Sequence, residues 1–303
     1  MRKTILFLIT YISLTTAYCQ TAEAYINRAY SKYSLEDYRG AIADLTKAIE
    51  IDPKDAVAYN NRGDSKFLLE DYRGAIADFT KAIEIDPKHA SAYNNRGDSK
   101  FLLEDYRGAI ADFTKAIEID PKDADAYFNR GSIKSKLEDY RGSIADFTKA
   151  IEIDPKDADA YFNRGSIKSK LEDYRGAIAD YTKAIEIDPS HAFAYYNRGN
   201  SKNNLEDYRG AIADFTKDIE INPSHASAYH NRGFSKAELQ DYRGAIADYT
   251  KAIEIDPSHA IAYFTRGLSK IELNQKDSGC LDFSKAGELG FGRAYDAIKK
   301  LCN

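Results

Sequence analysis

An all-α solenoid of helical hairpins is the fold class that this sequence predicts, and three observations predict it. The letters DYRGAIAD begin at Asp37 and return at Asp71, Asp105, Asp173, Asp207 and Asp241, with DYRGSIAD at Asp139. The step is 34 residues, as from Asp37 to Asp71, or a multiple of it. Within each step the apolar residues fall at helical spacing, and a proline closes all but the last. A fixed period of this length marks stacked repeats, each burying its apolar face on its neighbours. It overrides the two or so globular domains that 303 residues would suggest at roughly 150 apiece.

The unit from Ala56 to His89 shows how each element arises. Ala56, Tyr59, Gly63, Phe67 and Leu69 stand at near-helical spacing, so a first helix covers about residues 57–69. Asp71 is placed to cap a second helix, whose stripe is Tyr72, Ala75, Ile76, Phe79, Ala82 and Ile83. Pro87 ends it, because proline cannot continue a helix. Small Gly63 and Ala75 mark where the two helices cross, and Tyr59, Phe79 and Ala82 fill the seam. Eight such units occupy residues 22–291, beginning at Ala22, Ala56, Ala90, Ala124, Ala158, Ala192, Ala226 and Ala260. The eighth is degraded, as terminal repeats commonly are. Residues 292–303 read as a capping helix with Ala294, Ile298 and Leu301 turned inward.

Aromatic Tyr59, small Gly63, Tyr72, small Ala75, aromatic Phe79, Ala82 and Pro87 in a 34-residue helical hairpin resemble the tetratricopeptide repeat (TPR) family. The resemblance covers nearly all of the chain after residue 21. It implies a right-handed superhelix whose first helices line a concave groove for a peptide or a partner's helix. Two departures from the family pattern stand out. Arginine precedes the glycine position in every unit, as at Arg62 and Arg96, and lysine follows it three residues later. Each unit also carries an aspartate on its second helix, as at Asp78 and Asp112. Equal numbers of opposite charges point to structural Arg–Asp pairing between helices and away from a charged binding strip. As surface pairs they would contribute about 0–1 kcal/mol each.

The first nineteen residues stand apart. Basic MRK, an apolar run and the small residues before Gln20 have the order of a secretory signal peptide, residues 1–19. The run is short for a bilayer span, so contact with a membrane is expected only through a retained signal segment. The sequence therefore predicts export, to a bacterial periplasm or cell surface. The chain is acidic, with net charge −5 and no basic cluster, which argues against a nucleic-acid partner. It shows no phosphate-binding glycine loop, metalloprotease pattern or serine elbow. The junction histidines His89, His191, His225 and His259 are a layer apart, too far to share a metal. No catalysis, no cofactor, no metal and no small-molecule substrate are expected.

What varies between copies bears on binding. One groove column runs Ile26, Asn60, Asn94, Phe128, Phe162, Tyr196, His230, Phe264. Another runs Tyr33, Phe67, Phe101, Ser135, Ser169, Asn203, Ala237, Ile271. These aromatics either line the groove or pack against the adjacent first helix. A third column holds Asn61, Asn95, Asn129, Asn163, Asn197 and Asn231. The resemblance implies that such asparagines hold a bound peptide backbone. The basic residues of the family's clamp for a C-terminal carboxylate are replaced here by Asn60, Asp64, Ser91 and Asn95, so that clamp is not expected. The function predicted is a non-enzymatic protein-interaction scaffold. The alternative is an envelope assembly component that works through its convex face and ends.

Cys280 and Cys302 remain after the signal segment. Folding the chain back near Gly290 places Cys280 opposite residue 300, close enough to Cys302 for a disulfide in an oxidising compartment. Two unpaired buried thiols are the alternative.

Overall fold

A computed structural model of the protein describes residues 21–302; the expected signal peptide lies outside the described residues. Among the described residues every regular element is a helix. The chain divides into two compact units, residues 1–154 and 155–303.

The first unit holds four hairpins: α1 (Ala22–Ser34) with α2 (Tyr38–Ile51), α3 (Ala56–Leu68) with α4 (Tyr72–Ile85), α5 (Ala90–Leu102) with α6 (Tyr106–Ile119), and α7 (Ala124–Lys136) with α8 (Tyr140–Ile153). The second unit holds α9 (Ala158–Lys170) with α10 (Tyr174–Ile187), α11 (Ala192–Asn204) with α12 (Tyr208–Ile221), α13 (Ala226–Glu238) with α14 (Tyr242–Ile255), and α15 (Ala260–Glu272) with α16 (Lys276–Glu288). A short α17 (Arg293–Ala297) follows. Odd-numbered helices up to α15 are the first helices of their repeats and even-numbered ones the second.

The recurring DYRG is the start of every second helix but the last. Asp71 Oδ1 accepts from the backbone N–H of Gly74 at 3.0 Å, satisfying a donor that the helix start would leave orphaned. Glycine is required there because a Cβ at Gly74 would stand 2.1 Å from the Asp71 carboxylate. Each first helix ends in a Schellman turn. The N–H of Asp71 reaches back to the Lys66 carbonyl at 2.9 Å, and that of Glu70 to the Phe67 carbonyl at 2.9 Å. Glu70 thereby sits in the left-handed region with φ 61°, and a non-glycine residue does the same at every hairpin.

The core is a chain of small seams. Phe79, Ala75 and Ala82 are fully buried, and the Phe79 ring lies where a Cβ at Gly63 would be, 2.5 Å from it. Burying such a ring stabilises by about 1.5–3 kcal/mol, and glycine is what lets the helices approach closely enough to do it. The first repeat departs from this pair. It has Ala29 in place of the glycine and Leu45 in place of the aromatic, both buried.

The C-terminal segment differs from the expected capping helix. The α-helix stops at Ala297, and Ile298–Cys302 forms a π-helical turn. Ala294 is buried as expected, but Leu301 is 37% exposed and does not face inward. The wider i→i+5 winding rotates the last residues, so that Cys302 takes the inward place. Cys302 forms a disulfide with Cys280, the Cα atoms 5.9 Å apart. Phe291 and Ile298 pack with it against Phe283.

Candidate functional site

The arginines are structural staples and not a surface strip. Arg62 donates from Nε and Nη2 to the two oxygens of Asp78, at 2.8 and 2.6 Å, and Lys66 Nζ completes the cluster at 2.7 Å. The third nitrogen crosses to Thr46 of the preceding repeat at 3.2 Å, while the guanidinium stacks 5.4 Å over Tyr59. Arg96 repeats the pattern with Asp112, Lys100, Thr80 and Tyr93. Asp78 and Asp112 are only 4% and 3% exposed, so these are buried bidentate pairs and the small contribution of a surface pair does not apply. In the first repeat the Arg28 guanidinium holds the Asp44 carboxyl below its ordinary range. The lysine column, which stands where the family has an aromatic, is the third member of this cluster.

The second aromatic column packs within its hairpins. Tyr33, Phe67 and Phe101 each set their rings against the tyrosine that opens the second helix, at 5.4, 5.4 and 5.8 Å. The rings of the first column sit half-buried, and Asn60 in the same column is buried. Phe128 packs on Phe147, Phe162 on Tyr181 and His191, Tyr196 on Phe215 and His225, and Phe264 on Phe283 and Phe291. These rings pack onto the aromatic seam ring of the second helix in their own hairpin. His230 belongs to the same column and stacks on His259 at 5.0 Å and on Tyr249 at 5.4 Å. Burial pushes its imidazole down to about 4, so it is neutral at pH 7.

The asparagine column links consecutive first helices. Asn61 donates to Tyr30 Oη at 2.8 Å, Asn95 to Asp64 at 2.6 Å, and Asn129 to Asp98 at 3.2 Å. Asn231 donates to Asn200 at 2.8 Å and to Tyr196 at 3.1 Å, whereas Asn163 turns back to the Asp159 carbonyl. Asn197 is half-buried on the same face.

The acceptors Tyr30, Asp64, Asp98 and Asn200 belong to a column that sequence reasoning passed over, one residue after each glycine position, continued by Ser132, Ser166, Phe234 and Leu268. Its signal was available, since it changes identity between otherwise verbatim copies. Burial pushes the Asp64 and Asp98 carboxyls up to about 6, with Asp125 and Asp123 adding to the shift at Asp98.

Hollows open along the first helices, and two stand out among the described residues. One, of about 180 Å³, lies between the first and second repeats and is lined by Tyr30, Tyr33, Leu45 and Asp64 among others. The other, of about 440 Å³, is framed by Phe234, Tyr242, Tyr249 and Leu268 with Glu238 and Glu272 at its edge. Large apolar side chains exposed on first helices are Tyr30, Tyr33, Val57, Leu68, Leu102, Phe193, Phe234, Ile261 and Leu268; those on second helices are Ile51, Ile221 and Leu281. Among the described residues no three His, Cys, Asp or Glu side chains converge to hold a metal ion, and no helix is long and apolar enough to cross a membrane.

Comparison with known proteins agrees with this geometry. The tetratricopeptide repeat profile matches residues 22–55, 56–89, 124–157, 158–191 and 226–259. Two further repeat profiles of the same kind match residues 97–138 and 180–213. No curated protein matches the chain. Among solved structures, YrrB, described as a TPR protein with an unusual peptide-binding site, is 30% identical. The match covers 61% of this chain and 96% of that one with a TM-score of 0.56. The protein MamA is 26% identical over 57% of this chain and 94% of its own, with a TM-score of 0.53. The C-terminal part of a TPR repeat-containing protein from Cytophaga hutchinsonii reaches a TM-score of 0.68 over 79% of this chain and 98% of its own, at 18% identity.

Proposed function

Because the chain belongs to the tetratricopeptide repeat family, we propose that it is an exported, non-enzymatic scaffold that seats a peptide or partner segment against its first helices. The observation that carries this reading is the uneven placement of exposed apolar side chains. They gather on the first helices, whereas second helices present lysine–glutamate pairs such as Lys115–Glu118 and Lys217–Glu220 to solvent. Exposed apolar side chains gathered on one face mark an interaction site. YrrB, the 30% identical relative, carries a peptide-binding site by its description. Export is supported by the order of basic, apolar and small residues at the start of the chain. The Cys280–Cys302 bridge supports it too, since disulfides persist in oxidising compartments.

Photo-crosslinking in the native cell tests the surface. A crosslinking residue at Leu102 or Phe234 should capture a defined partner, and one at Lys115 or Lys217 should not. Capture only from the lysine positions would favour an envelope component working through its convex face and would overturn the groove reading. N-terminal sequencing of the native protein should begin at or near Gln20; an intact Met1 would remove export from the proposal.

A further inference from the structure

The hollow between the first and second repeats is lined by a paired exchange. Where other repeats have glycine and an aromatic ring in contact, the first has Ala29 and Leu45. The smaller Leu45 leaves a cavity of about 180 Å³, and Ala29 bars a ring from filling it. The equivalent space between the third and fourth repeats has Phe113 in the place of Leu45 and measures about 40 Å³. The corresponding space between the seventh and eighth repeats is larger, about 440 Å³, but has Leu268 where this one has Asp64, so the acid is what sets the first cavity apart from it.

Its chemistry is unusual for so apolar a space. Ile26, Ala29, Leu45 and the rings of Tyr30 and Tyr33 form the walls, and Asp64 is the acid on its border. Unlike the aspartate column that includes Asp78 and Asp112, where each carboxylate meets an arginine and a lysine, Asp64 has no cationic partner among the described residues. Its oxygens accept only from two amides, Asn95 at 2.6 Å and Asn60 at 3.2 Å. A carboxylate oxygen can accept more than one hydrogen bond, so both oxygens keep capacity. Each oxygen already takes one amide, so an ammonium that adds to a single oxygen needs less open edge than the two-pronged grip of a guanidinium. An unbranched aliphatic stem ending in an ammonium fits better. The stem would lie against Ile26 and Leu45, and the charge would meet Asp64 and the tyrosine faces.

We propose that this cavity is a lysine pocket: it receives one lysine side chain of the bound partner, with Asp64 as the counter-ion. The inference rests on the groove reading above and names the chemistry of one anchor point in it. The raised Asp64 carboxyl supports it, since a desolvated acid is relieved by an arriving cation. The groups facing Asp64 are Tyr30 and Tyr33 from α1, Asn60 from its own helix and Asn95 from α5. The Tyr33 hydroxyl is pushed up by burial and by Asp64, away from neutrality. Any change in lysine binding near pH 6 therefore reports on Asp64. Binding needs its ionised form, so affinity should rise as pH passes upward through about 6 and then level off.

The test titrates the full chain with the acetylated, amidated tripeptide Ala-Lys-Ala, following the methyl resonances of Ile26 and Leu45. Versions with norleucine or arginine in place of lysine serve as comparisons. At pH 7.5 lysine should bind roughly tenfold more tightly than norleucine, the worth of one hydrogen bond to a charged group. Asp64→Asn should erase that preference together with its pH dependence. The double variant A29G/L45F, which restores the pattern of the other repeats, should fill the space and abolish binding while keeping the helical signal. Equal binding of norleucine, equal binding of arginine, or undiminished binding by A29G/L45F would each overturn the proposal. Crosslinking from Leu102 and Phe234 reports separately on the groove, so a lysine peptide that fails while partner capture succeeds defeats the pocket alone.

Discussion

Arg96 grips Asp112 through two parallel hydrogen bonds of 2.9 and 2.7 Å, and its remaining nitrogen reaches Thr80 of the preceding repeat at 3.1 Å. One guanidinium therefore closes its own hairpin and fastens it to the hairpin before. Replacing Arg96 with alanine leaves a buried carboxylate with Lys100 alone and opens the contact with Thr80. We expect a loss of about 3 kcal/mol in chemical denaturation. Arg96→Lys should lose much of the same, because an ammonium cannot reproduce the fork. A loss below 0.5 kcal/mol, roughly what a surface substitution costs, would contradict the staple.

Asp218 stands where other second helices have a buried alanine. Its side chain is fully buried, one oxygen meets His225 Nδ1 at 2.7 Å, and the other has no hydrogen-bond partner among the described residues. Burial raises its carboxyl, with His225 opposing the shift. The histidine is also diverted from helix capping, a task that His191 performs on the Ala194 N–H. Asp218→Ala should raise stability at pH 7 by about 1–3 kcal/mol and allow His225 to cap α13. A raised carboxyl favours folding at low pH and loses that contribution as pH rises, so the gain should shrink in acid.

At Asp98 the sign is the same and the window is defined. A carboxyl raised to about 6 when folded contributes stability below its unfolded pKa that disappears as pH rises through 6. Asp98→Asn should therefore gain on the parent protein between pH 4 and 7, by about 2 kcal/mol. Denaturation curves at several pH values would show it, and a constant difference would refute it.

Every hairpin turn places a non-glycine residue at positive φ, glutamate in six of them. Glutamate strains there where glycine does not, so Glu104→Gly should stabilise by about 0.5–1 kcal/mol. Asn274 already tolerates the conformation, so the same exchange there should give less. Thermal melts of the two variants provide the comparison.

The Cys280–Cys302 bridge closes a separation of 22 residues around the last repeat. Cys302→Ser should cost about 3 kcal/mol, concentrated at the end of the array. Hydrogen exchange should then quicken in α16 and α17 while the first unit stays unchanged; uniform quickening would place the effect elsewhere.

Much of the architecture could be read from the period alone. Hairpin limits near Ala56, Leu68, Tyr72 and Ile85 follow from apolar spacing, Asp71 and Pro87, because these are local preferences acting within one turn of helix. The charged columns were legible as pairs of equal number, but not their burial. Whether Arg62 meets Asp78 in water or beneath a tyrosine depends on how closely two helices approach, and Gly63 sets that distance through a ring on the other helix. The end of the chain shows the same division. Helical periodicity turns Leu301 inward, yet the bridge to Cys280 accompanies a wider turn that puts Leu301 into solvent.

Sequence thus carried the repeat, its two helices and its caps, since each depends on residues a few positions apart. The lysine pocket and the Asp218–His225 contact came into view only in three dimensions. A cavity is the difference between the volumes of side chains brought together from α1, α2 and α3, and no spacing rule computes that difference. The charge on Asp64 likewise depends on how much water the neighbouring helix excludes, a property of packed neighbours and not of the letter D.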